Sequence, residues 1–217
     1  MHIAWFQYFQ MLSLLVAIYC YRGLRNCSLL AFIPYLIIVN ITEVVGINFH
    51  FTGREGNYPV YNLYLLVSTP VYFYIAGKML FLRGKETVVF YTVCLLCLIL
   101  VYVNFFFIQG MSRFDTFSLV LIEIMTIVFS GLSLVRLTVL DQNELNFMRE
   151  PFFWINSMYL LFGLITLVVL GLQEYILFNH IEIAHKTLYY VIMPTVNAIV
   201  YSGYCYAFIL CRTQRTR

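Results

Sequence analysis

The sequence predicts an all-α polytopic membrane bundle of about seven transmembrane helices, and three observations predict it. First, 62% of the 217 residues are hydrophobic and only 11% are charged, whereas an ordinary soluble domain carries roughly 25% charged residues. Too few polar side chains remain to coat a water-facing surface, so most of the exterior must face lipid. Second, apolar runs fall at about 3–21, 28–49, 58–82, 87–109, 115–140, 152–177 and 186–211. A helix rising about 1.5 Å per residue crosses about 30 Å of hydrocarbon in runs of this kind. Third, the basic residues are distributed unevenly between the connections that alternate along the chain.

The runs are too long and too uniformly apolar for barrel strands of about ten alternating residues, and backbone in lipid must satisfy its own hydrogen bonds, so helices are expected throughout. The first run begins almost at the N-terminus with neither a basic flank nor a small-residue cleavage pattern, so a cleaved signal peptide is not expected. The second and third runs contain Pro34 and Pro70, and the seventh contains Pro194. Each is expected to kink its helix by removing one hydrogen bond and crowding the preceding turn. Pro59 and Pro151 fit the first turn of the third and sixth helices, and Asp115 fits the N-cap of the fifth. The fourth run holds Cys94 and Cys97 in a C-x-x-C spacing, but among Leu and Val they lack the electropositive setting that activates a thiolate. Together the runs use nearly the whole chain, which is expected to form a single integral membrane domain over 1–217.

With the N-terminus outside, the cytoplasmic side receives Arg22, Arg25, Lys78, Arg83, Lys85, Arg136, Arg149, Arg212, Arg215 and Arg217. The outer side keeps only Arg54, Arg113 and Lys186. That positive-inside bias places the C-terminus in the cytoplasm. All six cysteines then map to the inner half, where a reducing cytoplasm keeps thiols free. The net charge of +3 is dispersed among apolar runs and forms no patch, so nucleic acid is not expected as a partner. The bilayer itself is.

An ionised side chain in mid-bilayer costs several kcal/mol, so an intramembrane acid marks a candidate functional site. Glu43 and Glu123 qualify, and counting from the outer ends of their runs places both roughly 10 to 12 Å deep. Asn40 precedes Glu43 by three positions and shares its face, while Asn62, Asn104 and Asn197 fall in neighbouring runs. Glu123, Thr126, Ser130 and Ser133 recur at three- and four-residue spacing, a polar stripe that must point away from lipid. Tyr61, Tyr64, Tyr201 and Tyr204 can add phenols. The expected site is an outward-facing polar pocket formed by Glu43, Glu123, Asn40, Asn62, Asn104, Asn197 and Tyr201. The competing expectation is that these groups serve as interhelical hydrogen-bond glue, each worth about 0.6 to 2 kcal/mol.

A second constellation, His50, His180 and His185 with Glu174, Glu182 and Asp115, offers donors of the kind that hold zinc and activate water. The H-x-x-x-H spacing of helical metal sites is missing, so no metal is assigned. No cofactor is expected either, and a retinal pigment is disfavoured because the seventh run has no interior lysine for a Schiff base.

Five stretches, FIPYLIIVNITEVVGINF from Phe32, YPVYNLY from Tyr58, FFIQGMSRFDTFSLVLIEI from Phe106, EPFFWINSMYLLFG from Glu150 and VNAIVYSGYCYAFIL from Val196, carry a resemblance over nearly the whole chain. In their order they resemble a functionally uncharacterised family of small multi-spanning membrane proteins of Bacteroidota. The resemblance implies a bacterial inner-membrane location and carries over no activity. The chain departs from the family at Glu123, where a small residue is expected.

The functional expectation is a receptor-like or accessory membrane protein whose outward pocket signals through a cytoplasmic or membrane partner. Two alternatives are a small-solute or proton carrier using Glu43 and Glu123 as coupling acids, and a membrane-embedded lipid-modifying hydrolase. The missing internal repeat and the absence of paired Gly/Pro-interrupted runs weaken the carrier, and an enzyme is the less favoured outcome.

Overall fold

A computed structural model of the chain describes residues 4–48, 56–111, 113–140, 147–178, 182–183, 186–187 and 189–213. Apart from one small β-ladder these form helices. In order they are α1 (Gln7–Tyr19), α2 (Tyr21–Asn26), α3 (Phe32–Asn48), α4 (Tyr58–Met79), α5 (Lys85–Val103), α6 (Thr116–Leu140), α7 (Pro151–Phe178) and α8 (Tyr189–Thr213). A π-helical turn (Asn104–Ile108) extends α5, and a 3-10 turn (Phe147–Arg149) precedes α7. Between α7 and α8, β1 (Glu182–Ile183) pairs antiparallel with β2 (Lys186–Thr187).

A helix coincides with each of the seven expected runs, and among the described residues four helices are long and apolar enough to cross a membrane: Lys85–Ile108, Thr116–Val139, Pro151–Leu172 and Val191–Thr213. These four mark the chain as a membrane protein and account for four of the seven expected spans. The other three differ for physical reasons. The first run breaks at Cys20, so α1 keeps 13 residues and rises only about 20 Å at about 1.5 Å per residue. α3 keeps 17 residues. α4 is long enough at 22 residues, but it carries Asn62, Ser68 and Thr69, all buried in the protein rather than set against lipid.

Local chemistry explains the ends. Pro59 sits in the first turn of α4, Pro151 opens α7, and Asp115 Oδ1 accepts the Ser118 N–H at 3.0 Å as the N-cap of α6. Pro70 and Pro194 lie inside α4 and α8. Pro34 differs from expectation: α3 starts at Phe32, so this proline occupies the first turn, where its missing N–H breaks no bond. α2 stops in a Schellman arrangement. Ser28 takes φ 58°, its N–H reaches the Arg25 carbonyl at 3.2 Å, and the Leu29 N–H reaches the Leu24 carbonyl at 2.8 Å, with both leucines fully buried. At the end of α4, Ser133 donates to the Met79 carbonyl at 2.9 Å and Arg136 to the Leu80 carbonyl at 2.9 Å, so α6 satisfies acceptors that α4 leaves open.

The helices pack in a closed succession: α1 against α3, α3 against α4, α4 against α6, α6 against α7, α7 against α8, and α8 back against α1. α5 stands outside this ring, packed on α4 and α6, and it presents Val88, Leu95, Leu96 and Leu100 outward, each more than half exposed. The middle of the ring is filled with aromatic rings rather than left open. Phe32 of α3 meets Tyr159 of α7 at 6.1 Å and Tyr204 and Phe208 of α8 at 5.5 Å each, while Tyr72 of α4 meets Tyr159 at 5.2 Å. Edge-on and tilted contacts of this kind add to the burial of the rings themselves.

Candidate functional site

Two polar groups lie inside the bundle, and they divide the residues expected to form one pocket. The first is a seam along α3, α4 and α6. Glu43 of α3 is half-buried and accepts a hydrogen bond from the Tyr61 hydroxyl of α4 at 3.3 Å. Gly46, one turn further on, makes that contact possible, because a Cβ there would come within 3.0 Å of the Tyr61 hydroxyl. Glu123 of α6 is 6% exposed. Its carboxylate lies over Gly163 of α7, where an added Cβ would meet Oε2 at 3.2 Å. Among the described residues no hydrogen bond reaches the Glu123 carboxyl.

Tyr64 joins the two acids. Its phenol stands within electrostatic reach of both Glu43 and Glu123, and its hydroxyl lies 3.5 Å from that of Tyr35. Tyr201 of α8 is buried and faces Glu43, Tyr64 and the Gln10 side chain. Tyr72 faces Glu123, and its hydroxyl lies beside Thr126 and Ser130 without reaching hydrogen-bond geometry. The stripe read from the sequence, Glu123, Thr126, Ser130 and Ser133, is buried at all four positions. Two acids, a bridging phenol and a row of hydroxyls can take up or release a proton, or orient a small cation, within a shell of aromatic rings.

The second group is a clasp between α4 and the connection from α5 to α6. Asn62 is fully buried; it donates to the Gly110 carbonyl at 3.0 Å and the Arg113 carbonyl at 2.7 Å, and accepts the Asp115 N–H at 3.0 Å. Asn104 donates to Gln109 Oε1 at 2.9 Å, to Ser118 Oγ at 3.1 Å and to Asp115 Oδ1. The π-helical turn follows from this need, since the Gln109 N–H bonds back to the Asn104 carbonyl at 2.9 Å and holds the Gln109 side chain in place. Asn62 and Asn104 therefore fix a loop: both ends of the Asn62 amide are occupied by it, whereas Asn104 uses only its Nδ2, and Asn104 Oδ1 and Asp115 Oδ2 stay buried without a hydrogen-bond partner among the described residues.

The other expected residues fall elsewhere. Asn40 donates to the Leu36 carbonyl of its own helix at 2.8 Å and to the Gln10 carbonyl of α1 at 3.4 Å, which is interhelical glue. Asn197 is half-exposed and enters no hydrogen bond among the described residues. His50, His180 and His185 lie outside the described residues, and among the described residues no cluster of three His, Cys, Asp or Glu side chains is arranged to hold a metal. A groove of about 580 Å³ runs over α1, α7 and α8 between Trp5 and Trp154, but it opens on the outer surface and stands apart from the acids.

Several seam residues went unread in the sequence. Gln7, Gln10 and Ser13 form the buried face of α1 with Ala17, a polar stripe at three- and four-residue spacing that could have been found in the same way as the one on α6. Tyr35, Tyr72 and Tyr159 carried no such signal, because tyrosines are spread over six of the seven runs. No protein-family model, curated protein or solved structure matches this chain.

Proposed function

We propose that this chain is a receptor-like or accessory protein of a bacterial inner membrane, crossing it as a bundle of about seven helices with its N-terminus outside and its C-terminus in the cytoplasm. In this reading Glu43, Tyr64 and Glu123 receive a proton or a small cationic ligand, and the resulting shift of α3 and α6 about α4 is read by a partner at the cytoplasmic ends. The observation that carries it is that two acids on different helices, Glu43 bonded to Tyr61 and the buried Glu123, both lie within electrostatic reach of the Tyr64 phenol. A charge gained or lost there changes the packing of three helices at once. The shorter helices α1 and α3 enter the membrane in this reading as part of the ring that α6 to α8 cannot close alone.

The test is a fluorophore placed at the cytoplasmic end of α8 in reconstituted protein, followed while external pH is stepped from about 8 to about 5. The emission change should be lost in Glu123→Gln and reduced in Glu43→Gln, with helical content unchanged. An unaltered response in the double variant would remove the two acids from the mechanism.

A second reading, a proton or small-solute carrier, is favoured by one observation: the Glu123 carboxyl has no hydrogen-bond partner among the described residues, which leaves it open to exchange a proton with water or a solute. Proteoliposomes loaded with a pH-sensitive dye separate the two readings. Net proton flux that Glu123→Gln abolishes supports the carrier, and a conformational response without flux supports the receptor.

A further inference from the structure

Far from the acids in sequence and in packing, four of the six cysteines collect where α2 and the end of α8 meet. Gly23 of α2 lies so close to α8 that an added Cβ would sit 2.8 Å from the backbone carbon of Cys211 and from the backbone of Arg212. Cys20 and Cys27 stand three residues before and four residues after Gly23, so a helix continued through this stretch presents all three on one side. The side chains agree. Cys20 lies beside the Arg212 guanidinium, which also covers the Tyr19 ring at 4.0 Å, and the Cys27 thiol neighbours that of Cys211 across the contact that Gly23 makes with α8. Cys27 is half-buried at the turn into α3, whereas Cys211 is 1% exposed.

We propose that Cys27 and Cys211 are an oxidation site for hydroperoxides, which closes to an intramolecular disulfide and pins the turn between α2 and α3 to the C-terminal end of α8. The order of events follows from access. Cys27 is the thiol a small oxidant reaches, whereas Cys211 is buried, and the neighbouring Cys211 thiol holds Cys27 below the ordinary thiol range although burial and the Glu150 charge push it up. The Cys27 sulfur attacks one peroxide oxygen; the S–O bond forms, the O–O bond breaks, and the departing alkoxide or hydroxide takes the proton that Cys27 had released. The Cys211 sulfur then attacks the Cys27 sulfenic acid. The S–S bond forms, the S–O bond breaks, and hydroxide leaves with the Cys211 proton as water. Two thiols and one hydroperoxide thus give a disulfide, an alcohol or water, and a second water. The two sulfurs must close to the roughly 2.05 Å of a disulfide, which the close approach of α2 to α8 at Gly23 favours. Cys94 and Cys97 of α5 supply the internal contrast, because both are buried in the membrane-crossing part of their helix.

The experiment treats the full-length protein in detergent micelles with hydrogen peroxide, then denatures it, blocks remaining thiols with a maleimide and maps the digest by mass spectrometry. The expected result is a peptide pair joined through Cys27 and Cys211, two thiols lost per chain, and Cys27 consumed at least ten-fold faster than Cys94. In Cys211→Ser, dimedone should trap a sulfenic acid at Cys27 instead. Wild-type protein alone decides the matter if that variant does not fold. Cys27 persisting as a stable sulfenic acid, chains joined to one another through Cys27, or Cys27 consumed no faster than Cys94 would each overturn the proposal.

Discussion

Replacing Asn62 by alanine tests whether the clasp is structural. The side chain is fully buried and makes three hydrogen bonds at 2.7 to 3.0 Å, two donated and one accepted, all to the backbone of one loop. At about 1 kcal/mol net for each, the loss is about 3 kcal/mol. The Gly110 and Arg113 carbonyls and the Asp115 N–H cost more if they stay buried without partners, and less if the loop opens to water, which brackets the change at about 2 to 4 kcal/mol. Asn62→Asp keeps the acceptor for the Asp115 N–H, loses both donors and sets a carboxylate against two carbonyls, so it should cost at least as much. Equilibrium unfolding in mixed micelles of mild detergent and dodecyl sulfate, followed by circular dichroism, measures both. Asn40→Ala is the comparison: its amide bonds one carbonyl of its own helix and one at 3.4 Å, so it should cost about 1 kcal/mol. An Asn62→Ala protein within about 0.5 kcal/mol of wild type, or no less stable than Asn40→Ala, would show that the clasp does not hold the loop.

Gly163→Ala places a methyl 2.9 Å from Ile127 Cγ1 and 3.2 Å from Glu123 Oε2; overpacking of about 1 to 3 kcal/mol outweighs a helix-propensity gain of about 1 kcal/mol, and the pH response of the reconstituted protein should shift with the displaced carboxyl. Arg136→Ala removes the hydrogen bond to the Leu80 carbonyl and should lower the unfolding free energy by about 1 kcal/mol. Glu86→Gln breaks only the exposed 3.0 Å ion pair with Arg136 and should leave the unfolding midpoint unchanged at moderate salt. Gly23→Ala forces α2 off the α8 backbone, so peroxide should join Cys27 to Cys211 several-fold more slowly while leaving Cys94 and Cys97 as they were.

What the sequence made legible was whatever depends on a single helix. The Asp115 cap, the prolines in the first turns of α4 and α7, and the buried stripe from Glu123 to Ser133 all follow from spacing along one element, and each stands where it was expected. What depends on two elements was not legible. Asn62 and Asn104 share the polar character of pocket residues, and only the fold brings Asp115 and the Gly110 and Arg113 carbonyls to them. Arg22 and Arg25 end the first run near where α1 stops, but hydropathy does not show that the chain turns at Cys20 into a second short helix, α2, that meets α8. α4 shows the opposite effect. Its polar residues lower its apolar character, although the helix is surrounded by α3, α5 and α6, which take those residues out of lipid.

The hydrogen-bond lengths distinguish the two polar groups by how readily each would rearrange. In the clasp the protein bonds of Asn62 and Asn104 run at 3.1 Å or less and meet loop backbone, the Gln109 and Ser118 side chains and the capping aspartate, so moving any member breaks several bonds at once. In the seam the Glu43 and Tyr61 groups stand at 3.3 Å, the Tyr35 and Tyr64 hydroxyls at 3.5 Å, and Glu123 has only Gly163 beneath its carboxylate. Bonds of that length are weak, and the glycines at 46 and 163 leave the acids space that larger residues would fill. Within lipid, helices are held by packing and polar contacts rather than by the hydrophobic effect, so the contacts that are strong set the pivot and those that are weak set the hinge. The clasp fixes α4 to the start of α6, and the seam lets α3 and the middle of α6 adjust around Tyr64. A protonation event at Glu43 or Glu123 would therefore act where the bundle resists least.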